Sequence, residues 1–234
     1  MSLINKITVD DSWLHPDQKQ VVEAFYSDDL THAVISGPGC GMTTSLAHIA
    51  LRNIIENDRR TICIGHSVYN YLVRLIEKLP QEVQSKFIFM GNYIENEDNG
   101  AGIEVIPYRG FTRDFAAGHW DFHKSDLLID GMHGFCFEED EFFAALECVV
   151  PKRTMVFQRA SPSKYESIKK FPTLHLNGEK PHPVLQFTER MHGKVLNISS
   201  NNSPLISPLG LAQIISHARS MGWDTEKYLA GEMF

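Results

Sequence analysis

Apolar and polar positions along the chain follow two rhythms. In residues 14–25, Val21, Val22 and Phe25 recur at helical spacing, and Pro16 suits a first helical turn. Residues 32–36 are a short apolar run that enters a glycine-rich stretch. A longer helical stripe follows over 44–55, with Leu46, Ala47, Ile49, Ala50, Leu51, Ile54 and Ile55. Residues 61–65 read as a strand, and 69–79 as an amphipathic helix stopped by Pro80. Residues 87–90 form a further strand. The polar, acidic segment 92–102 reads as a turn or hairpin tip, and 103–106 alternate like a strand. Residues 125–130 make a buried strand ending in an acid, 138–150 a helix and 153–157 a strand. Ser161, Pro162 and Ser163 cap a short helix that runs to 171.

Strands alternating with helices predict an α/β fold: a three-layer sandwich with a mostly parallel sheet. The tail is different. Residues 172–208 are rich in Pro, His, Asn and Ser, with strand-like pieces such as 184–187, and helices close the chain at 208–221 and 225–229. The expected division is a core over 1–171 and a small C-terminal extension over 172–234.

Composition narrows the partners. The formal net charge of −7 counts against a dedicated nucleic-acid binder, which is ordinarily basic. Cys40, Cys63, Cys136 and Cys148 form no CxxC pair, so reduced thiols in a cytoplasmic protein are expected. No apolar run approaches the ~20 residues of a membrane span, and the first residues carry no signal-peptide pattern.

The chemistry lies in the glycine-rich stretch Ser36-Gly37-Pro38-Gly39-Cys40-Gly41-Met42-Thr43. Strand, glycine-rich loop and helix in that order define a P-loop. Its backbone N–H groups cradle phosphates, a lysine reaches the β/γ phosphates, and a Ser/Thr hydroxyl meets Mg²⁺. Gly37, Gly39 and Gly41 supply the loop; Thr43, with Thr44 beside it, supplies the hydroxyl; Cys40 lies within the loop. Met42 stands at the lysine position and brings neither charge nor donor. Asp130 ends an apolar strand and fits the Mg²⁺-holding acid of a Walker B strand, whereas the next residue, Gly131, cannot polarise a water. Gln18 stands where related ATPases carry an adenine-reading glutamine; an ordinary helical Gln is the equal alternative.

From residue 14 to about 171 the order of parts resembles the ATPase domain of phage large terminases, the DNA-packaging motors. The resemblance rests on Gln18, the loop at 36–43, Cys63-Ile64-Gly65-His66-Ser67 after the second strand, Lys78-Leu79-Pro80, Asp114-Phe115-Ala116-Ala117-Gly118, the acid strand at 127–131 and Ser161-Pro162. It implies a nucleotide site for ATP with Mg²⁺, through Thr43 and Asp130. The departures fall on charge. Met42 replaces the lysine, Pro38 an arginine found in many terminase loops, Ala117 the arginine before Gly118, and Gly131 the catalytic glutamate. Losing one such group costs about 10²–10⁵ in rate. No catalytic residue is therefore expected, and the cofactor is either ATP with Mg²⁺ or none. The tail also lacks the clustered acids of a terminase nuclease domain, so headful cutting is not expected. A helicase-type P-loop core is the neighbouring resemblance.

The remaining features are weaker. His119 and His123 are four apart but lack further ligands at metal spacing. Lys152, Arg153, Arg159 and Lys164 concentrate positive charge for a nucleic acid or a partner, against the alternative of a solvated face. Three functions follow from the sequence. The first is an inactive, phage-encoded, terminase-like pseudo-ATPase in the host cytoplasm, binding a packaging motor, helicase or nuclease. The second is an active or weakly active ATPase whose missing cation comes from Lys6, Lys19, Arg109 or a neighbouring subunit. The third is a nucleic-acid-binding module that needs no nucleotide.

Overall fold

The computed structural model describes residues 8–65, 67–107, 111, 124–130, 151–160, 183–201 and 203–232. Its strands are β1 (Thr31–Ser36), β2 (Thr61–Ile64), β3 (Phe87–Met90), β4 (Tyr93–Asn96), β5 (Ala101–Ile106), β6 (Asp126–Asp130), β7 (Arg153–Arg159) and β8 (Lys194–Ile198). They form one eight-stranded sheet in the order β3-β4-β5-β2-β6-β7-β1-β8. From β5 to β8 neighbouring strands are parallel; β3, β4 and β5 are joined as an antiparallel meander at one edge. The mostly parallel α/β sheet expected from the sequence is therefore present.

The described helices are α1 (Pro16–Phe25), α2 (Met42–Glu56), α3 (Ser67–Ile76), α4 (Gln81–Gln84), α5 (Pro183–Arg190), α6 (Pro208–Ser220) and α7 (Thr225–Ala230). One face of the sheet packs against α1, α2 and α3, where Val34, Leu128, Met155 and Phe157 meet Phe25, Leu46 and Leu72. The other face packs Ala33, Ile35, Ile129 and Val156 against Val184, Phe187, Ala218 and Tyr228 of α5, α6 and α7. Every residue of β1 is buried, as a central strand covered on both faces requires. His32 is among them, and burial pushes its imidazole below its ordinary pKa.

Three sequence expectations are corrected. Residues 92–102 are not simply a hairpin tip, because β4 occupies Tyr93–Asn96. The polar side chains there have structural partners: Asn96 and Asn99 both donate to the Ile54 carbonyl near the end of α2, at 3.0 and 2.8 Å. Residues 184–187 are helical, not strand-like; Val184, Phe187 and Thr188 are buried at the i, i+3, i+4 spacing of a helix face. The tail also holds an unforeseen strand, β8, which pairs along β1 from His32 to Ser36. The expected helices at 138–150 and after Ser161 lie outside the described residues.

The candidate nucleotide site

β1 ends at Ser36 and α2 begins at Met42, so the glycine-rich loop joins the central strand to the longest described helix. Gly39 and Gly41 adopt φ of +77° and +69°, in the left-handed region that favours glycine. A Cβ on Gly37 would fall 2.1 Å from Ser200 Oγ and 2.7 Å from the Leu229 carbonyl. The glycines are thus demanded partly by loop curvature and partly by chain packed against the loop's outside.

That outside carries the carbonyls. Ser200 Oγ donates to the Pro38 carbonyl at 2.7 Å, Ser203 Oγ to Gly39 at 3.2 Å and Gln18 Nε2 to Gly41 at 3.0 Å. The Gly37 N–H donates to Ile198 of β8 at 2.8 Å, and Ile206 and Leu205 abut Gly39 and Gly41. Among the described residues, nothing accepts from the backbone N–H groups of Gly39, Cys40, Gly41, Met42 and Thr43. Backbone N–H groups without acceptors at the start of a helix are the kind of donor set that binds anions in proteins generally, helped by the positive end of the helix dipole.

The two metal-holding candidates meet. Thr43 Oγ1 donates to Asp130 Oδ1 at 3.0 Å, although 87 residues separate them. Burial raises the Asp130 carboxyl above its usual range, and the Thr43 hydroxyl draws it partly back. Gly65 makes room for the acid: a Cβ there would sit 3.0 Å from Asp130 Cβ. These oxygens are hard ligands of the kind Mg²⁺ takes. Among the described residues no group of three His, Cys, Asp or Glu side chains could hold a metal by itself. The pair suits an ion whose remaining ligands are water and phosphate.

Met42 is buried. Its side chain is 8% exposed and belongs to the apolar cluster of α1, α2 and α3. Cys40 is buried too, its sulfur 3.6 Å from Ser200 Oγ, and burial pushes the thiol above its ordinary pKa. Thr44 is half-buried in the first turn of α2. Gln18 is buried, and both ends of its amide are engaged: the nitrogen on Gly41, the oxygen accepting from the His15 N–H at 3.3 Å. It braces the loop against α1.

The basic residues separate. Arg153 sits at the amino end of β7 and donates to the carbonyls of Phe25, Ser27 and Asp29 at 2.9, 2.5 and 3.3 Å. Lys152 beside it is exposed. Arg159 lies at the opposite end of β7, paired in register with Ser36. Ala117, Gly131 and Lys164 lie outside the described residues. Sequence reasoning missed Ser200, Ser203 and Ile206, which stand about 160 positions from the loop they support and carry no motif.

A parallel sheet with a glycine loop leaving a central strand, and an acid on a strand one removed, defines a P-loop nucleotide-binding fold. Among solved structures the chain is similar to the large terminase from a thermophilic bacteriophage in complex with ADP, with a TM-score of 0.55 and 9% identity. The chain thus shares its fold with the matched part of that large terminase. The match covers 87% of this chain and 49% of that one, so the chain spans about half the length of that terminase. The large terminase ATPase domain of a Thermus phage also matches, with a TM-score of 0.49, 10% identity and coverage of 97% of this chain and 100% of that one. No family model matches, and no curated protein does.

Proposed function

We propose that this protein is a phage-encoded, terminase-like P-loop protein that binds a Mg²⁺-nucleotide and hydrolyses it negligibly. It acts in the host cytoplasm by docking on a DNA-packaging or related nucleic-acid machine. The observation that carries this reading is the split within the loop. Five backbone donors remain available and Thr43 is joined to Asp130, while Met42 is committed to the apolar core. The donors, the hydroxyl and the acid suit a polyphosphate with its metal. The lysine position does not fit, because a thioether packed among apolar side chains gives no charge to a transferring phosphoryl group.

What these residues do is bind and orient. The cradle N–H groups would hold phosphate oxygens, and Thr43 with Asp130 would hold the ion at their edge. Gln18, Ser200 and Ser203 fix the loop's carbonyls outward, so the donors are preorganised. No described helix is long and apolar enough to cross a membrane. The test joins two measurements on the purified protein. Titration with a fluorescent ATP analogue, with and without Mg²⁺, is expected to show saturable, Mg²⁺-dependent binding. Phosphate release with linear DNA present is expected below about 1 s⁻¹, the low end of ordinary enzyme rates. Absence of binding at millimolar nucleotide, or faster turnover, would sink the reading.

A further inference from the structure

A polyphosphate in this loop still needs a counter-charge beyond Mg²⁺, and Met42 supplies none. The described cations divide by which end of the sheet they serve. Arg153 is tied to three carbonyls at the amino end of β7. Arg59 pairs with Asp126 at the amino end of β6, and Arg60 with Glu104 on β5. Lys194 pairs with Asp29, and Arg52 with Asp11 and Glu56. Lys19 lies toward Asp10, whose carboxyl is held below its usual range first by hydrogen bonds from Ser12, with Lys19 a smaller contributor.

Arg159 is placed differently. It ends β7, the strand lying between the loop strand β1 and the acid strand β6. Its register partner on β1 is Ser36, the residue before the loop, and the next N–H, of Ala160, donates to the Ser36 carbonyl at 2.8 Å. Side chains alternate along a strand, so Arg159 shares its face with Met155 and Phe157. That is the face covered by α2, the helix bearing Thr43. Asp130 shares that face by the same alternation from Leu128, and pairs with Phe157, two residues before Arg159. The side chain is exposed, and among the described residues its guanidinium has no acceptor.

We infer that Arg159 is the phosphate-recognising cation of this site, taking over from β7 the charge that lysine gives from the loop in an ordinary P-loop. Because Arg159 ends the strand beside β1, outside the loop itself, it meets the distal end of the phosphate chain and so selects nucleoside triphosphates over diphosphates. A guanidinium suits this position, since its planar fork takes two phosphate oxygens at once. The inference rests on the nucleotide-binding reading of the loop.

The test is equilibrium titration of the whole chain with fluorescent ATP and ADP analogues in Mg²⁺, comparing wild type with Arg159→Ala and Arg159→Lys. Thermal melts check that each variant is folded. Loss of a charge-assisted hydrogen bond predicts about tenfold or greater weakening of ATP binding in Arg159→Ala. ADP affinity is expected to change less than about threefold, and Arg159→Lys to recover part of the ATP affinity as a point charge. Unchanged ATP affinity in folded Arg159→Ala overturns the inference and leaves the nucleotide reading standing. Equal losses for ATP and ADP overturn the triphosphate selectivity. Wild-type protein that binds neither nucleotide removes the site itself, so the two failures are told apart. If Arg159→Ala does not fold, Arg159→Gln and the salt dependence of wild-type ATP against ADP binding carry the same comparison.

Discussion

The two ends of β6 carry the same residue on the same face of the sheet and use it in opposite ways. Asp126, at the amino end, is fully buried. Asn53 Nδ2 donates to its Oδ2 at 3.0 Å and Arg59 reaches the same oxygen at 3.4 Å. Asn53 in turn donates to Thr61 and accepts from the Tyr26 hydroxyl, so the acid anchors a polar knot joining α2 and β2 to the end of α1. Asp130, at the carboxyl end, is half-buried beside the loop and held by the neutral Thr43 hydroxyl. Burial raises both carboxyls above their usual range. At Asp126 the chief opposing influence is a guanidinium; at Asp130 it is a hydroxyl. One end of the strand is tied into a polar network through Asp126 Oδ2, and the other meets the glycine loop through Thr43.

The largest effect should come from removing the structural acid. Asp126→Ala removes the acceptor shared by Asn53 and Arg59 and is expected to cost about 1–3 kcal/mol in urea unfolding, the range for losing a buried hydrogen-bond partner. Asp130→Ala should cost far less, and equal losses would erase the distinction between the two ends. Nucleotide binding should rank the same residues in reverse. Asp130→Ala should remove the Mg²⁺-dependent part of ATP affinity, about 10–100-fold, as disturbed metal sites commonly show. Folded Asp126→Ala should bind as wild type does.

A third substitution probes the loop between them. Met42→Lys places an ammonium in the apolar cluster and is expected to lower stability by about 2 kcal/mol while tightening ATP binding. If it tightens binding without loss of stability, Met42 is not committed to the core. Ser200→Ala removes the hydroxyl on the Pro38 carbonyl and should cost about 1 kcal/mol. Thermal melting is sensitive enough to read that change.

The smallest effect is in pH. A carboxyl whose folded pKa lies above its unfolded value of 3.8 holds its proton more tightly in the fold. Its contribution to stability is full below pH 3.8 and is lost as pH rises through the folded value. Asp126→Asn should flatten that decline in a melting-temperature series from about pH 3.5 to neutrality. An undiminished slope would move its origin to another group.

The sequence by itself determined the loop and the layers. Gly39 and Gly41 need left-handed backbone, a local demand written in local residues, and the alternating apolar runs dictate strands and helices in order. It also marked Thr43 and Asp130 as a pair, because each stands at the end of an element that a parallel sheet aligns. Tertiary structure alone decided the rest. Met42 could have faced phosphate or core, since a helix's first turn offers both, and tertiary packing put it in the buried apolar cluster. Arg153 and Arg159 look equivalent in a basic cluster, yet a strand of seven residues sends them to opposite ends of the sheet. The tail read as an appendage, yet β8 pairs with the loop strand and Ser200 and Ser203 hold the loop's carbonyls. Strand order sets those neighbours, and strand order is a property of the whole sheet that no short stretch of residues encodes.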